Sequence, residues 1–246
     1  QACDGKDAVV LKIEKQKKTV LPPRLYDLTT LQRECNRLFG FTAQQTLDYL
    51  QSLYEKKLAT YPRTDSQFIT ADMQATVGSL ALWLWQNMPF ADHASAAPEL
   101  ERIINDSKVT DHHAILPTVE IAHTDLSALP VGEKDVLMLL AARLLCATGQ
   151  PHHFETITAT LEAATYIFTA KGKNILLEGW KGIERAFRAG VKQKSKQEDE
   201  NDDTVCLPEL QKGQRFTNIS ASVREGKSTP PKHYTEDSLL AAMETA

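Results

Sequence analysis

Residues 7–20 alternate between apolar and polar, with Val9, Leu11 and Ile13 on one side, the period of two that a β-strand imposes. Leu-Pro-Pro at 21–23 stops that pattern. From Asp27 the period becomes helical. Leu31, Cys35 and Leu38 share one face, Thr29 or Thr30 is placed to cap the start, and Gly40 to end the helix. Thr42 with Gln45 forms a capping box, after which Leu47, Leu50 and Tyr54 continue at helical spacing. Two further helices are expected: one through Val77, Leu80 and Leu84, ending near Pro89, and one from about Glu133 to Cys146 that buries Val136, Leu140 and Leu144. At Pro151 the period returns to two. "HFETITATLEA" reads as a strand, and "TYIFTA-KGK-NILLEGW" as a hairpin turning near Lys171–Lys173. "KQKSKQEDENDD" is polar throughout and reads as a flexible loop between strands, followed by the strand "RFTNISASV". "STPPKHYTEDSLLAAMET" opens a new helix behind a Pro-Pro turn. The pattern predicts an α+β fold in which a helical domain is inserted into an antiparallel β domain.

Composition narrows the class without naming a function. The 246 residues are 42% hydrophobic and 24% charged, ordinary values for a globular chain. A net charge of −4 excludes a uniformly basic nucleic-acid coat, so any DNA contact must come from a local patch. The scattered cysteines form no Cys-x-x-Cys pair, which argues against a zinc module or a disulfide framework and for a reduced, cytoplasmic setting. No apolar run has the length of a membrane span, and the charged N-terminus does not read as a signal peptide. The start lacks a methionine and opens within an alternating stretch, as an excised piece of a longer protein would.

The candidate chemistry begins at "LATYPRTDSQF", residues 58–68. Proline after Tyr61 forces that tyrosine into an extended conformation. In an extended chain, side chains two apart share a face, so Tyr61 and Arg63 point the same way. The planar fork of an arginine suits phosphate oxygens. Thr64, Asp65 and Ser66 are capping types, so a helix N-terminus is expected there, bringing free N–H groups to the same anion. Two readings stand: a buried tyrosine in a Pro-kinked loop, or a tyrosine nucleophile attacking phosphorus. The second has a cost, because an ordinary tyrosine is only about 0.1% ionised at pH 7 and full deprotonation takes roughly 4 kcal/mol. A nearby cation offsets part of this, and a general base must supply the rest.

A second cluster, "KVTDHHAILPT" at 108–118, offers Lys108, Asp111, His112 and His113. Adjacent histidines do not have the four-residue spacing at which helical pairs share a metal. The alternatives are a polar surface loop and a phosphate-contacting imidazole supported by Asp111. The histidines of "PHHF" at 151–154 read as structural, and the acids Glu198, Glu200 and Asp202 as part of a solvated run. No metal ligand is expected in this chain.

Taken in order, "LYDLTTLQRECNRLFGFTAQQTLDYLQSLYEKKLATYPRTDS", "DHHAILPT" and "PPKHYTEDSLLAAME" resemble the type IA DNA topoisomerases, most closely the bacterial topoisomerase III branch. The resemblance implies that Tyr61 is the nucleophile forming a 5′-phosphotyrosine bond with one DNA strand. Arg63 then matches the arginine that stabilises the scissile phosphate, Asp65 an acidic position of the same motif, and His112 a histidine contacting phosphate or backbone. Thr64, Ser66, Lys108 and Asp111 join the expected DNA-contacting set, and His113 falls where branches differ. The resemblance also implies strand passage without ATP, to relax or decatenate DNA. Mg²⁺ would be held by a Toprim domain that nothing in these residues resembles. The partners it implies are single-stranded DNA and that missing domain, in a monomeric bacterial protein associated with the nucleoid. In such an arch, residues 1–21 and 150–223 form the β domain, 22–149 the helical domain bearing Tyr61, and 224–246 the start of the next lobe. Tyrosine recombinases combine the same residue types but place tyrosine after histidine. A non-catalytic DNA-binding gate module, with Tyr61 stacking a base, is the reading from another class.

Overall fold

The computed structural model describes residues 2–91, 97–195 and 207–245; of 192–195 it describes the backbone alone. The chain divides into two units that interleave along the sequence. One comprises residues 1–20, 152–178 and 199–232, the other residues 21–151, 179–198 and 233–246.

The first unit is a four-stranded sheet in the order β3-β2-β1-β4. Its strands are β1 (Ala8–Val20), β2 (His152–Ala163), β3 (Tyr166–Leu177) and β4 (Arg215–Phe216). Every pairing is antiparallel, and β1 carries a register shift between Val10 and Lys12. The expected hairpin turn at Lys171–Lys173 is wrong. Gly172 sits within β3 opposite Ile157, and the chain turns instead at Ala164 and Thr165. Both residues have positive φ, 47° and 72°, which suits the twist of a two-residue hairpin but which non-glycine residues seldom adopt. Of the expected strand at 215–223 only Arg215 and Phe216 are strand; the following residues are held by single bonds such as Ile219 N to Lys6 O, 2.9 Å. The histidines of 152–153 are tied inside this unit. His152 Nδ1 lies 3.0 Å from Glu178 O and His153 Nδ1 2.9 Å from Thr19 Oγ1.

The second unit is helical: α1 (Leu28–Phe39), α2 (Ala43–Glu55), α3 (Gln74–Asn87), α4 (Val131–Ala147), α5 (Trp180–Ser195) and α6 (Glu236–Glu244). The α1 cap is Asp27, whose Oδ1 accepts from Thr30 N at 2.7 Å, not either threonine. Gly40 closes the helix with φ 72°, the left-handed geometry that glycine permits. The Thr42–Gln45 capping box is present. α4 is buried on almost every face and packs against α2, α3 and α5. Leu140 of α4 and, around that helix, Leu31, Leu50, Leu53, Leu84 and Ile115 are wholly enclosed, each contributing about 1.5–3 kcal/mol by leaving water.

α5 was not foreseen. Trp180, Ile183 and Phe187 fall at helical spacing and are buried, yet Trp180 reads on paper as the end of a strand. Gly179 makes the change of direction possible. Its φ is 54°, and a Cβ there would lie 2.3 Å from Pro151 O and 2.4 Å from Gln150 O. The first residues of the polar run, Lys192–Ser195, are helical; the rest of that run, including Glu198, Glu200 and Asp202, lies outside the described residues. α6 meets α1 through charge. Arg33 lies 3.0 Å from both Asp237 and Glu244, and Glu236 accepts from Ala43 N at 2.6 Å.

Candidate active site

Three stretches remote in sequence meet beside the helical core. The Leu58–Phe68 segment runs against the His112–Thr118 segment. Thr60 N donates to Leu116 O at 3.0 Å, Thr118 N to Leu58 O at 3.0 Å and Ala114 N to Phe68 O at 2.8 Å. The residues preceding α1 complete the set, with Ile115 N bound to Tyr26 O and Leu28 N to Thr64 O.

Within this frame residues 61–66 are extended. Pro62, Thr64 and Ser66 turn inward and are buried, whereas Arg63 and Asp65 are exposed and Tyr61 is half-buried. Alternation of this kind is what an extended backbone dictates, and it sets Tyr61, Arg63 and Asp65 on one face. The Tyr61 ring lies 4.1 Å from the His112 imidazole, tilted by 31°, and 5.6 Å from Tyr54, edge-on. Its hydroxyl has no hydrogen-bond partner among the described residues. Arg63 Nη1 reaches Gln51 Oε1 at 3.4 Å, and no carboxylate among the described residues pairs with that guanidinium.

The expected helix N-terminus at 64–66 is absent. The chain stays extended to a short 3-10 turn at Ala71–Met73, and α3 begins at Gln74. Backbone groups of the neighbouring segment compete for the hydroxyls that would cap a helix. Thr64 Oγ1 donates to His112 O at 3.0 Å and accepts from Ser66 N at 3.1 Å, while Ser66 Oγ donates to Lys108 O at 2.8 Å. Thr64 and Ser66 are thus buried ties between the two motifs, not groups turned outward to a ligand. His112 is exposed beside Tyr61. Asp111 is exposed too and, among the described residues, makes no bond to His112 or to any other group, so the expected carboxylate support is missing. His113 Nδ1 lies 2.8 Å from Ala114 O. Lys108 Nζ lies 5.3 Å from the Phe68 ring centroid.

Tyr54 and Gln51, one helical turn apart on α2, touch Tyr61 and Arg63 respectively. Sequence reading treats Tyr54 only as part of a helical stripe, and nothing local in the chain marks either residue as a neighbour of the 61–65 face. Among the described residues no group of three or more His, Cys, Asp or Glu is gathered to hold a metal ion.

The fold has a solved counterpart. Over 98% of this chain it matches 38% of the full-length topoisomerase I of Thermotoga maritima, with a TM-score of 0.72 at 21% identity. A family model described as DNA topoisomerase matches residues 1–246. The DNA topoisomerase 3 of Bacillus licheniformis is 38% identical over 249 residues, covering 99% of this chain, and that of Bacillus subtilis is 38% identical over 246, covering 98%. The chain belongs to this DNA topoisomerase family. It spans 33% of the length of either Bacillus relative. The α+β class expected from the sequence is the one found. No helix among the described residues is long and apolar enough to cross a membrane.

Proposed function

We propose that this chain is the strand-cleaving part of a bacterial type IA topoisomerase of the topoisomerase III branch, with Tyr61 as the nucleophile. One observation carries the reading: a tyrosine hydroxyl without an internal partner shares an exposed face with a guanidinium that has no carboxylate partner among the described residues. The Tyr61 oxygen attacks the phosphorus of a single-stranded DNA segment. A bond forms from that oxygen to the 5′ phosphate, the bond to the 3′ oxygen breaks, and the departing 3′ oxygen takes up a proton. Arg63 donates to the phosphate oxygens and stabilises the charge that builds on both phosphate and phenolate. His112, stacked on the phenol, fixes the ring and offers its edge to the DNA backbone. Asp65, Lys108 and Asp111 border the strand, and Thr64 and Ser66 act from beneath by holding the two motifs in register.

Among the described residues no carboxylate or amine touches the Tyr61 hydroxyl, so the base that accepts its proton comes from a Toprim domain, which also holds Mg²⁺. By itself the chain then binds DNA without cutting it, as a gate module would. The whole protein acts as a monomer in the nucleoid. It conserves the phosphodiester energy in the tyrosyl ester and needs no ATP, whether it relaxes or decatenates.

Cleavage of a labelled single-stranded oligonucleotide tests this. The chain alone should give no covalent adduct, and the complete protein should give one attached through the 5′ phosphate. Tyr61→Phe should abolish that adduct while leaving the melting curve intact. Normal cleavage by Tyr61→Phe in the complete protein would sink the assignment.

A further inference from the structure

The helical unit contains a second anion-seeking feature that the cleavage reaction does not use. A cavity of about 430 Å³ opens beside the start of α1, lined by Arg24, Arg33, Arg37 and Arg143, with Thr30 and Gln67 between them. Among the described residues its acidic lining residue is Glu34, which is buried. That carboxylate already has company: Arg37 and Arg143 on the cavity side, the latter at 3.6 Å, and Arg188 at 3.1 Å from behind. Arg33 is taken by Asp237 and Glu244 of α6. Among the described residues, Arg24, Arg37 and Arg143 then face the cavity with the Glu34 carboxylate, and Asp27 is bonded to the lining residues Thr30 and Gln67.

The arginines are held in place. Arg143 is clamped over the Tyr26 ring, 4.1 Å from its centroid, and donates to the Tyr26 hydroxyl at 2.7 Å. Thr30 Oγ1 donates to Asp27 Oδ1 at 2.6 Å and Gln67 Nε2 to Asp27 Oδ2 at 2.8 Å, so the polar rim is ordered as well. Arg24 is exposed, and among the described residues its one contact of this kind is the Phe68 ring, 5.1 Å away. Arginines grouped around one carboxylate give the cavity a positive potential that favours a further anion.

We infer that this cavity is a second phosphate site, taking a backbone phosphate of the DNA strand some way along from the one attacked by Tyr61. This rests on the proposed function above. A strand suits the site better than a free anion because the cations continue toward the tyrosine. Phe68 lies under both Arg24 and Lys108, and Lys108 accepts through its carbonyl from Ser66, three residues past Arg63. Lys108 and Arg24 share the Phe68 ring, and Arg24 shares the cavity with Arg37 and Arg143, so these cations link the cavity to the segment that carries His112. Anchoring the strand here fixes which phosphodiester meets Tyr61.

The test is fluorescence anisotropy of the chain with a fluorescein-labelled oligothymidylate across a salt series, using Arg24→Gln, Arg37→Gln and, as a control outside the cavity lining, Lys17→Gln. Each arginine variant should weaken binding about threefold to tenfold and lower the slope of log K against log salt by about 0.7. Lys17→Gln should bind as the parent does. Calorimetric titration with inorganic phosphate forms a second arm. If Arg24→Gln removes phosphate binding but leaves oligothymidylate affinity unchanged, the cavity is a small-anion site and the strand reading is overturned. If both arginine variants bind oligothymidylate like the parent, the inference fails, while adduct formation by Tyr61 in the complete protein still decides the proposed function independently. Should Arg37→Gln disturb folding through Glu34, the exposed Arg24 carries the result.

Discussion

Thr64→Val separates two roles that one residue could play next to Tyr61. Valine has nearly the shape of threonine, so the substitution opens no cavity and changes only the hydroxyl. That hydroxyl donates to His112 O at 3.0 Å and accepts from Ser66 N at 3.1 Å, and both Thr64 and Ser66 are buried. Losing the acceptor leaves a buried N–H unsatisfied, at about 1–3 kcal/mol, and losing the donor costs about another 1 kcal/mol. The expected destabilisation is therefore about 2–4 kcal/mol. With a urea m-value of about 2–3 kcal/mol/M, the midpoint should fall by about 1 M. Thr64→Ser keeps the oxygen and should recover most of the loss. In the complete protein Thr64→Val should also slow adduct formation, because the segment carrying His112 is no longer pinned beside Tyr61, while oligonucleotide affinity changes little. A Thr64→Val protein that melts like the parent but binds DNA more weakly would refute this, and would restore Thr64 as a direct phosphate contact.

Gly179→Ala should be among the most damaging small substitutions, since a positive φ costs alanine about 1 kcal/mol and its Cβ would meet two carbonyl oxygens at 2.3 and 2.4 Å; a thermal melt checks it. Burial pushes the Cys35 and Cys146 thiols up to about 12 from an ordinary 9.0. Their stabilising contribution is complete below about pH 9 and drains away as pH rises toward 12, so urea midpoints should fall over that window, and neither thiol should react with an aromatic disulfide at neutral pH before unfolding. Arg63→Ala in the complete protein should lower the cleavage rate by about 10²–10³-fold without moving the melting temperature; unchanged cleavage would remove the guanidinium from the chemistry.

Where the information was local, it could be read from the chain. Pro62 dictates the extended Tyr61, the Thr42–Gln45 pair writes the start of α2, and Gly40 writes the end of α1. Each is settled by sterics or hydrogen bonds within a few residues. What escaped was decided at a distance. Ala164 and Thr165 form the β2–β3 turn with no glycine or asparagine to announce it, so Gly172 drew the turn to itself while the pairing of the long strands overrode that preference. α5 was hidden because its apolar stripe is narrow and continues into a lysine-rich run. Thr64 and Ser66 look like caps until a second segment, more than 40 residues away, supplies carbonyls for their hydroxyls. The stacking of His112 on Tyr61 joins residues 51 positions apart, and resemblance places both in a site without saying how the rings meet.

The tooth-like run from Tyr61 to Ser66 has a consequence for how this stretch tolerates change. A saturation scan that scores protein abundance and strand cleavage separately should split by parity. Even positions 62, 64 and 66 should fail mainly by depleting the protein, and odd positions 61, 63 and 65 by silencing it at full yield. Scaffold and reagent are threaded through each other one residue at a time, so the reagent teeth can be redesigned without rebuilding the scaffold that carries them.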